Sequence, residues 1–352
     1  MDRLIGTKRF LVALSVLALS ACGAASSPGA PAPLTASVHR ATCSVVLWAS
    51  TVNSGGVNGF DSGGTNCTTI YGSGTENLTY ANGLATGGGY LYVADKVGKI
   101  FVFTTSGTLV KVWKTSIGTT TYNPWSVCVT RPPLSPTVIG VGTYQASSSA
   151  TPVAEFFTAG QANGSGPTGY ASGAGLTSQA WCAFDKLGDF FIDGTTAANH
   201  QRIAYLARAY VNVSAQTLVD SGLGSAHYWY SMYSRINTSP SETLSVNGRV
   251  QCPSGCSEKV YNWNISPHPA HGPLGFVSPT HYTFTGWPSS PSSPIYQLAP
   301  STGGASGYLY MSAFYNNTIY KAPATGGPVG PPWNTAYEKN PIGLATVPTG
   351  QY

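Results

Sequence analysis

The sequence predicts an all-β fold, a six-bladed β-propeller, from its composition, its internal repeats and the pattern at its two ends. Of its 352 residues, 42% are hydrophobic and 12% aromatic, enough for a sizeable packed core. Only 8% are charged, against about 25% in an average soluble protein, which argues against a helical enzyme with Lys- and Glu-rich surface helices. The formal charge of +5 is spread along the chain and does not indicate nucleic-acid binding.

The N-terminal residues have the pattern of an export signal. Basic residues including Lys8 and Arg9 precede an apolar run over residues 10–21, which is too short to cross a bilayer but suits a signal peptide. The run ends at Leu19-Ser20-Ala21-Cys22, which resembles a bacterial lipobox. That resemblance implies cleavage before Cys22 and acylation of this residue. The alternative is an ordinary signal peptide that contains a cysteine.

We therefore expect three regions in the chain. Residues 1–21 form the signal peptide, residues 22–38 the lipidated Cys22 and a flexible Ala-, Ser-, Pro- and Gly-rich tether, and residues 39–352 the propeller domain. Acyl chains on Cys22 would hold the protein on a membrane of the bacterial cell envelope, facing the periplasm or the exterior. The expected partners are that membrane and an unidentified glycan, peptide or protein ligand, and not nucleic acid.

Internal repeats predict the blades. The second strands of the repeats are expected at Gly89–Ala94, Thr137–Val141, Gly188–Asp193 and Gly307–Ser312. The first strands that precede them are rich in small residues and are expected at Asn82–Thr86, Pro124–Cys128, Trp181–Phe184 and Pro294–Leu298. A period of roughly 40 to 50 residues with short strands is typical of propellers.

The two ends of the chain are expected to form one blade together. Asn340–Thr346 repeats the first-strand pattern, and a lone strand there would leave unpaired edges. Outer strands at Cys43–Trp48 and Thr68–Tyr71 would complete this last blade. With one further blade over about residues 225–290 the count is six; seven is the alternative, because that region repeats the pattern poorly.

One segment has conflicting signals. Ile203–Tyr210 contains Ala, Leu and Arg residues that favour a helix. It aligns, however, with the expected strand Ile100–Phe103 of the first repeat. We therefore predict a strand there against its local propensity.

The repeat beginning at Gln179 points to a known family. Gln179–Asp193, with Asp185 and Gly188 before Phe190-Phe191-Ile192, resembles the NHL-repeat propellers, and Tyr92–Asp95 is similar to the second strand of that family. The resemblance covers three or four blades. It implies a propeller, and its functional range includes scaffolds, lactone hydrolases and antibiotic lyases. The gluconolactonase-like and streptogramin-lyase-like enzymes hold a divalent ion at the central channel with carboxylates, amides or His.

Six cysteines remain besides Cys22, and an even number in an exported chain predicts disulfides. The expected pairs are Cys252–Cys256 across a turn, Cys43–Cys67 in adjacent outer strands of the last blade, and Cys128–Cys182 on first strands of neighbouring blades. For Cys252 and Cys256 the alternative is a zinc site, which would need two more ligands nearby.

An aromatic cluster near residue 230 is the candidate ligand-binding site. Its members are Tyr228, Trp229, Tyr230 and Tyr233. Such side chains can stack on sugar rings or hold a peptide. The alternative is an alternating strand in a sheet-to-sheet interface. The tryptophans in other strand patterns are expected in the core: Trp48, Trp125 and Trp181.

We predict no catalytic residue, no cofactor and no metal site. Five of the expected first strands contain no Asp, Glu or His. Their polar side chains can orient a ligand but cannot neutralise a divalent cation, and include Asn82, Ser126, Gln179, Gln297 and Thr346. Asp185 is expected to stabilise a turn.

A few groups could still supply ligands for a metal. The carboxylates in question are Glu76, Glu242, Glu258 and Glu338. His268, His271 and His281 form the only histidine cluster, and the prolines around the first two favour a surface loop. The sequence thus favours a lipid-anchored, non-catalytic binding or scaffold module. The alternative is a metal-dependent lactone hydrolase or lyase.

Overall fold

The computed structural model describes residues 43–51, 55–130, 134–146, 151–185, 187–198, 201–207, 216–220, 227–236, 242–250, 258–264, 280–285, 287, 295–301, 307–313, 316–324, 326–334 and 340–347. For the strands between residues 227 and 283 the description covers the backbone and not the side chains. The predicted signal peptide and tether lie outside these ranges. Within them, no helix has the length and hydropathy of a membrane span.

The first complete sheet along the chain is a four-stranded antiparallel meander. Its strands are β6 (Ala81–Gly87), β7 (Tyr90–Asp95), β8 (Lys99–Thr104) and β9 (Leu109–Lys114). The four central side chains of β8, Ile-Phe-Val-Phe, are buried although they point alternately to opposite faces. A strand that is covered on both sides favours such a continuous β-branched and aromatic run.

Two meanders follow and are joined through their outermost strands. The first contains β10 (Ser116–Ile117), β11 (Thr120–Val129), β12 (Val138–Ala146), β13 (Ala154–Thr158) and β14 (Gly169–Gly173). The second contains β15 (Leu176–Phe184), β16 (Phe190–Thr196), β17 (Gln201–Leu206) and β18 (Gln216–Asp220). Strands β14 and β18 pair in parallel. Of the strand predicted over Ile203–Tyr210 against its helical propensity, β17 confirms the part up to Leu206, and residues 208–210 lie outside the described residues.

The region over about residues 225–290, whose sequence repeats the strand pattern poorly, also forms a meander. Its strands are β19 (His227–Ile236), β20 (Glu242–Val250), β21 (Glu258–Asn264) and β22 (Thr280–Thr285), and β22 pairs in parallel with β26 (Gly327–Pro328). The next sheet consists of β23 (Ile295–Pro300), β24 (Tyr308–Ala313) and β25 (Thr318–Pro323).

The last sheet combines both ends of the described chain, as predicted. Its order is β27 (Pro341–Thr346), β1 (Leu47–Thr51), β2 (Gly56–Phe60) and β3 (Asn66–Ile70). A small hairpin follows, made of β4 (Gly72–Ser73) and β5 (Glu76–Asn77). Strand β27 pairs antiparallel with β1, from Leu47 opposite Thr346 to Thr51 opposite Pro341.

The N-terminal strands of this sheet differ from the prediction in two ways. The strand expected from Cys43 begins only at Leu47 and is the second strand rather than an outer one. Strand β2, which the sequence did not predict, lies between β1 and β3. Its sequence Gly-Val-Asn-Gly-Phe has two glycines and an asparagine, which are depleted in strands. Cys43 and Cys67 are therefore not on adjacent strands.

The first strands of the sheets contact one another in a closed ring. The order is β6, β11, β15, β19, β23, β27 and back to β6. Apolar side chains fill the spaces between successive sheets; Trp113 of β9, for example, stacks on Phe157 of β13 with ring centroids 5.3 Å apart. The core thus consists of layers between sheets, and both faces of each sheet can be hydrophobic.

Two disulfides of the predicted pairing reinforce the ring. Cys128 of β11 and Cys182 of β15 join neighbouring first strands, with Cα atoms 5.8 Å apart. Cys43, which precedes β1, is bonded to Cys67 of β3, with Cα atoms 5.4 Å apart. The predicted Cys252–Cys256 pair lies outside the described residues.

Candidate functional site

Each of the six first strands contains a β-bulge. The extra residues lie at Asn82–Gly83, Trp125, Ala180–Trp181, Tyr230, Tyr296–Gln297 and Ile342–Gly343. The bulges of β11 and β15 lie side by side, since Ser126, which follows the bulge of β11, donates its hydroxyl to the carbonyl of the bulge residue Ala180 in β15. Bulges are common next to binding and catalytic sites because they redirect side chains and expose backbone groups.

A side chain on the second strand holds the bulge in three of these sheets. The backbone N–H of Trp181 donates to Asp193 Oδ1 at 2.7 Å, that of Gln297 to Ser312 Oγ at 2.8 Å, and that of Gly343 to Ser50 Oγ at 2.7 Å. Asp193, Ser312 and Ser50 each lie opposite the bulge in the strand register. These bonds satisfy a backbone donor that the bulge removes from the ladder.

The polar side chains expected to orient a ligand in the channel instead bind neighbouring strands. Gln297 accepts from the backbone N–H of Leu344 at 2.7 Å and donates to the carbonyl of Leu84 at 3.3 Å, and so links β23 to β27 and β6. Thr346 donates to the carbonyl of Pro300 at 2.8 Å. Gln179 is fully buried and donates to the carbonyl of Pro152 at 3.4 Å.

Asn82 and Ser126 are buried as well. The interpretation of this polar set as ligand-orienting residues is therefore wrong for the bonded members, since their hydrogen-bonding groups already serve the contacts between strands.

Two buried acids escaped the sequence analysis. Glu155 of β13 is fully buried, and neither of its carboxylate oxygens has a hydrogen-bond partner among the described residues. Asp193 of β16 is also fully buried, and its Oδ2 has no partner there. Burial raises the pKa of both carboxyls well above the ordinary value, opposed in Asp193 by the Trp181 N–H. Burial thus favours the neutral form of each carboxyl over the charged form.

Three other described carboxylates have structural roles. Asp185 accepts from the backbone N–H groups of Leu187 at 2.9 Å and Asp189 at 2.8 Å, which agrees with the predicted turn. Asp95, at the end of β7, accepts from the backbone N–H groups of Thr79 and Tyr80, which precede β6, and of Val97 in the turn after β7. Glu76 forms an ion pair with Lys99 at 2.6 Å.

One trio of described residues has the composition of a metal site. Cys43, Asp61 and Cys67 place one ligand atom each within 4.8 Å of the others. The two sulfurs form a disulfide, and Asp61 Oδ1 accepts from the N–H groups of Gly63 and Thr65 at 2.9 Å each. A disulfide sulfur is not a thiolate ligand. The two cysteines therefore serve as a covalent link, and Asp61 stabilises a turn.

Three consecutive first strands extend beyond the level of the bulges. Strands β11, β15 and β19 have 10, 9 and 10 residues, whereas β6, β23 and β27 have 7, 6 and 6. The additional residues precede the bulges, over Thr120–Pro124, Leu176–Gln179 and His227–Trp229. We call these three segments, with the second-strand residues paired to them, the extended rim. It is confined to one side of the ring.

An exposed aromatic pair lies at the base of the extended rim. The rings of Trp125, at the bulge of β11, and Tyr144, on β12, have centroids 5.4 Å apart and planes inclined by 41°. Tyr144 is 42% exposed and Trp125 is half-buried. Trp125 was expected in the core together with Trp48 and Trp181; the other two are buried, but Trp125 is not. The bulge explains the difference, because it takes Trp125 out of the regular alternation.

The predicted aromatic cluster lies on β19, the third strand of the extended rim. In β19, Tyr228 and Trp229 precede the bulge and are paired with Arg249 and Gly248, Tyr230 is the bulge residue, and Tyr233 is paired with Ser245 further along. Tyr228 and Trp229 thus belong to the extended rim, and Tyr233 does not. Their side chains lie outside the description.

Several other predicted residues lie at the edge of or outside the described part. Glu242 and Glu258 begin β20 and β21, and His281 belongs to β22, but their side chains are not described. Cys22, Cys252, Cys256, His268, His271 and Glu338 lie outside the described residues.

The closed ring of first strands, each followed by an antiparallel meander, defines an all-β propeller. No protein-family model and no curated protein matches the chain. Solved structures of propellers do resemble it. The β-propeller domain of Cps50 (Swd1) from Myceliophteria thermophila has a TM-score of 0.48 at 10% identity, covering 90% of this chain and 96% of that one.

A chain of a nidogen/laminin complex has a TM-score of 0.47 at 11% identity, covering 87% of this chain and 98% of that one. The Dos1 propeller has a TM-score of 0.42 at 12% identity, covering 84% and 69%. At such identities the likeness concerns the fold alone, and the fold assignment here rests on the ring of strand contacts. The NHL-repeat resemblance stays a prediction.

Proposed function

We propose that this protein is a lipid-anchored, non-catalytic binding module that holds a carbohydrate chain on its extended rim. The observation that carries the proposal is the exposed Tyr144 beside Trp125. Two inclined aromatic rings offer flat apolar faces at the surface, and the faces of sugar rings stack on such side chains.

The surroundings of this pair favour a neutral ligand rich in hydroxyl groups. Strands β11, β12 and β15 contain no charged residue. The rim portions of β11 and β15 present hydroxyl and amide side chains instead: Thr121 and Thr177 are exposed, and Asn123 and Ser178 are half-buried. Such groups donate and accept hydrogen bonds without requiring an opposite charge on the ligand. A carbohydrate combines both requirements, apolar ring faces and hydroxyl edges.

The aromatic residues predicted from the sequence would extend the same surface. Tyr228 and Trp229 occupy the rim portion of β19, which is separated from β11 only by β15 in the ring. A glycan of several units could therefore cross the three rim strands, while the hydrogen-bonded ring beneath them serves as a rigid support. Binding sites are often carried by the irregular ends of such a scaffold.

Substitution of Tyr144 tests this proposal. Cellohexaose, chitohexaose and maltohexaose, titrated separately and followed by tryptophan fluorescence and calorimetry, are the probes. We expect at least one of them to bind, and Tyr144→Ala to weaken that binding about tenfold through loss of a stacking face. Tyr144→Phe should retain most of the affinity. Tyr308→Ala is the matched control, because Tyr308 is 48% exposed and lies at the start of β24, away from the rim.

Two outcomes would contradict the proposal. One is the absence of binding to all three oligosaccharides by the folded protein. The other is an equal loss of affinity in the Tyr144→Ala and Tyr308→Ala variants, which would show that the rim is not the contact surface.

The membrane anchor is a separate part of the proposal and rests on the lipobox at Leu19–Cys22. Cys22→Ala should move the protein from the membrane fraction to the soluble fraction, since several acyl chains bind a bilayer far more firmly than a folded surface. Ser27→Ala, in the predicted tether, is the control and should not change fractionation. Unchanged fractionation of Cys22→Ala, or a mature N-terminus without acyl mass, would refute the anchor.

A further inference from the structure

The position opposite the bulge is occupied by different residues in related sheets. It is Ser50 in β1, Ser312 in β24 and Asp193 in β16, and each accepts the N–H of the second bulge residue. In β7 the corresponding residue is Ala94, between the register pairs of Val93 and Asp95. In three sheets the residue at this position accepts the N–H of a bulge residue, and in two of them that residue is a serine.

The two serines also have a second task. Ser50 Oγ donates to the carbonyl of Asn82 at 2.6 Å, and Ser312 Oγ lies 3.4 Å from the carbonyl of Ile342. Both carbonyls belong to the first residue of the bulge in the next strand of the ring. Ser50 therefore accepts a hydrogen bond from its own sheet and donates one to the following sheet. The Ser312 hydroxyl can donate either to Ile342 or to the carbonyl of Gln297 in its own sheet, each at 3.4 Å.

Asp193 accepts the Trp181 N–H with Oδ1, and this bond does not use Oδ2. Strand β16 contacts β19, the next first strand of the ring, whose bulge lies at Tyr230. The Asp193 side chain is fully buried, and Oδ2 has no hydrogen-bond partner among the described residues. An ionised carboxylate can only accept hydrogen bonds, whereas a protonated one can donate. The serines at the same position each face a backbone carbonyl of the next first strand, and a carbonyl also only accepts.

We propose that Asp193 is a neutral carboxylic acid whose Oδ2–H donates to a backbone carbonyl of β19 at its bulge. Asp193 would then be a positioning residue: it fixes the strand that carries Tyr228, Trp229 and Tyr230 to the preceding sheet. Burial of the carboxyl, which raises its pKa, supports the neutral form. The inference does not depend on which ligand the rim binds.

Three substitutions test the proposed bond in the full-length protein. Asp193→Ser and Asp193→Asn both keep one acceptor and one donor, and we expect their melting temperatures to lie within about 2 °C of the wild type. Asp193→Ala removes both and leaves the Trp181 N–H unpaired, so its melting temperature should fall by about 5 °C or more. If Asp193 instead were an ionised partner of a cation on β19, the serine and asparagine variants would be as unstable as the alanine variant, and the proposal would be wrong.

Infrared spectroscopy tests the protonation state directly. In protein labelled with 13C in its aspartate carboxyls, the wild type at neutral pH should show the carbonyl stretch of a protonated carboxylic acid, and Asp193→Asn should lose it. Labelling aspartate alone removes any contribution from Glu155. A wild-type spectrum with only carboxylate bands, or an acid band that persists in Asp193→Asn, would overturn the assignment.

Discussion

At the scale of residues, the repeats seen in the sequence end on the residue that lies opposite the bulge. The copies Gly89–Ala94, Gly188–Asp193 and Gly307–Ser312 were recognisable as strands from their alternating aromatic and aliphatic residues. Their last residue is Ala94, Asp193 or Ser312, and the sequence analysis assigned it no role. Its role depends on the register with the preceding strand, which the composition of a repeat does not specify. The recurrence of a small or acidic residue at this one position was the only available signal.

Glu155 gives a pH-dependent prediction at this scale. Burial raises the pKa of its carboxyl well above 4.5 in the folded protein, so the folded state retains the proton more strongly than the unfolded state. The stability that depends on the protonated Glu155 is then fully present below about pH 4.5 and is lost as the pH rises from there towards the raised pKa. Glu155→Gln cannot ionise. Its melting temperature should be close to that of the wild type at pH 4 and exceed it by about 3 °C or more at pH 8.

The control for this experiment is Glu76→Gln, which removes a partly exposed ion pair with Lys99 and should shift the melting temperature little at either pH. A difference between Glu155→Gln and the wild type that is constant from pH 4 to pH 8 would mean that Glu155 is ionised in the folded protein throughout.

At the scale of elements, the small residues of the first strands are explained by how closely these strands approach one another. A Cβ at Gly343 would lie 2.0 Å from the carbonyl oxygen of Asn82, and one at Gly83 would lie 2.6 Å from the Cα of Ser126. The sequence pattern therefore allowed five first strands to be predicted. The sequence pattern did not reveal the extended rim. The rim consists of strand residues that precede the bulges, and whether such residues pair with the second strand cannot be read from the pattern of small residues. Strand β2 was missed because its glycines and asparagine have the composition of a turn.

At the scale of the whole molecule, the ring is closed by hydrogen bonds between the two ends of the described chain. Strand β27 pairs with β1, and its backbone N–H groups also donate to Ser50 and Gln297. The sequence predicted this closure from one physical argument, that a lone strand near residue 343 would leave unpaired edges. The predicted count of six blades stays a prediction.

Deletion of residues 341–352 tests the closure. The deletion removes β27, whose residues Pro341–Ala345 are buried, and it leaves β1, β6 and β23 without their neighbour in the ring. Because each first strand is held by the strands on both sides, the loss should spread beyond one sheet, and we expect the cooperative thermal transition to disappear. Deletion of residues 348–352 alone is the control, since it leaves β27 complete, and it should preserve the transition. The measurement is calorimetry together with limited proteolysis. A protein lacking residues 341–352 that still melted cooperatively, within a few degrees of the control, would show that the ring does not need its C-terminal strand.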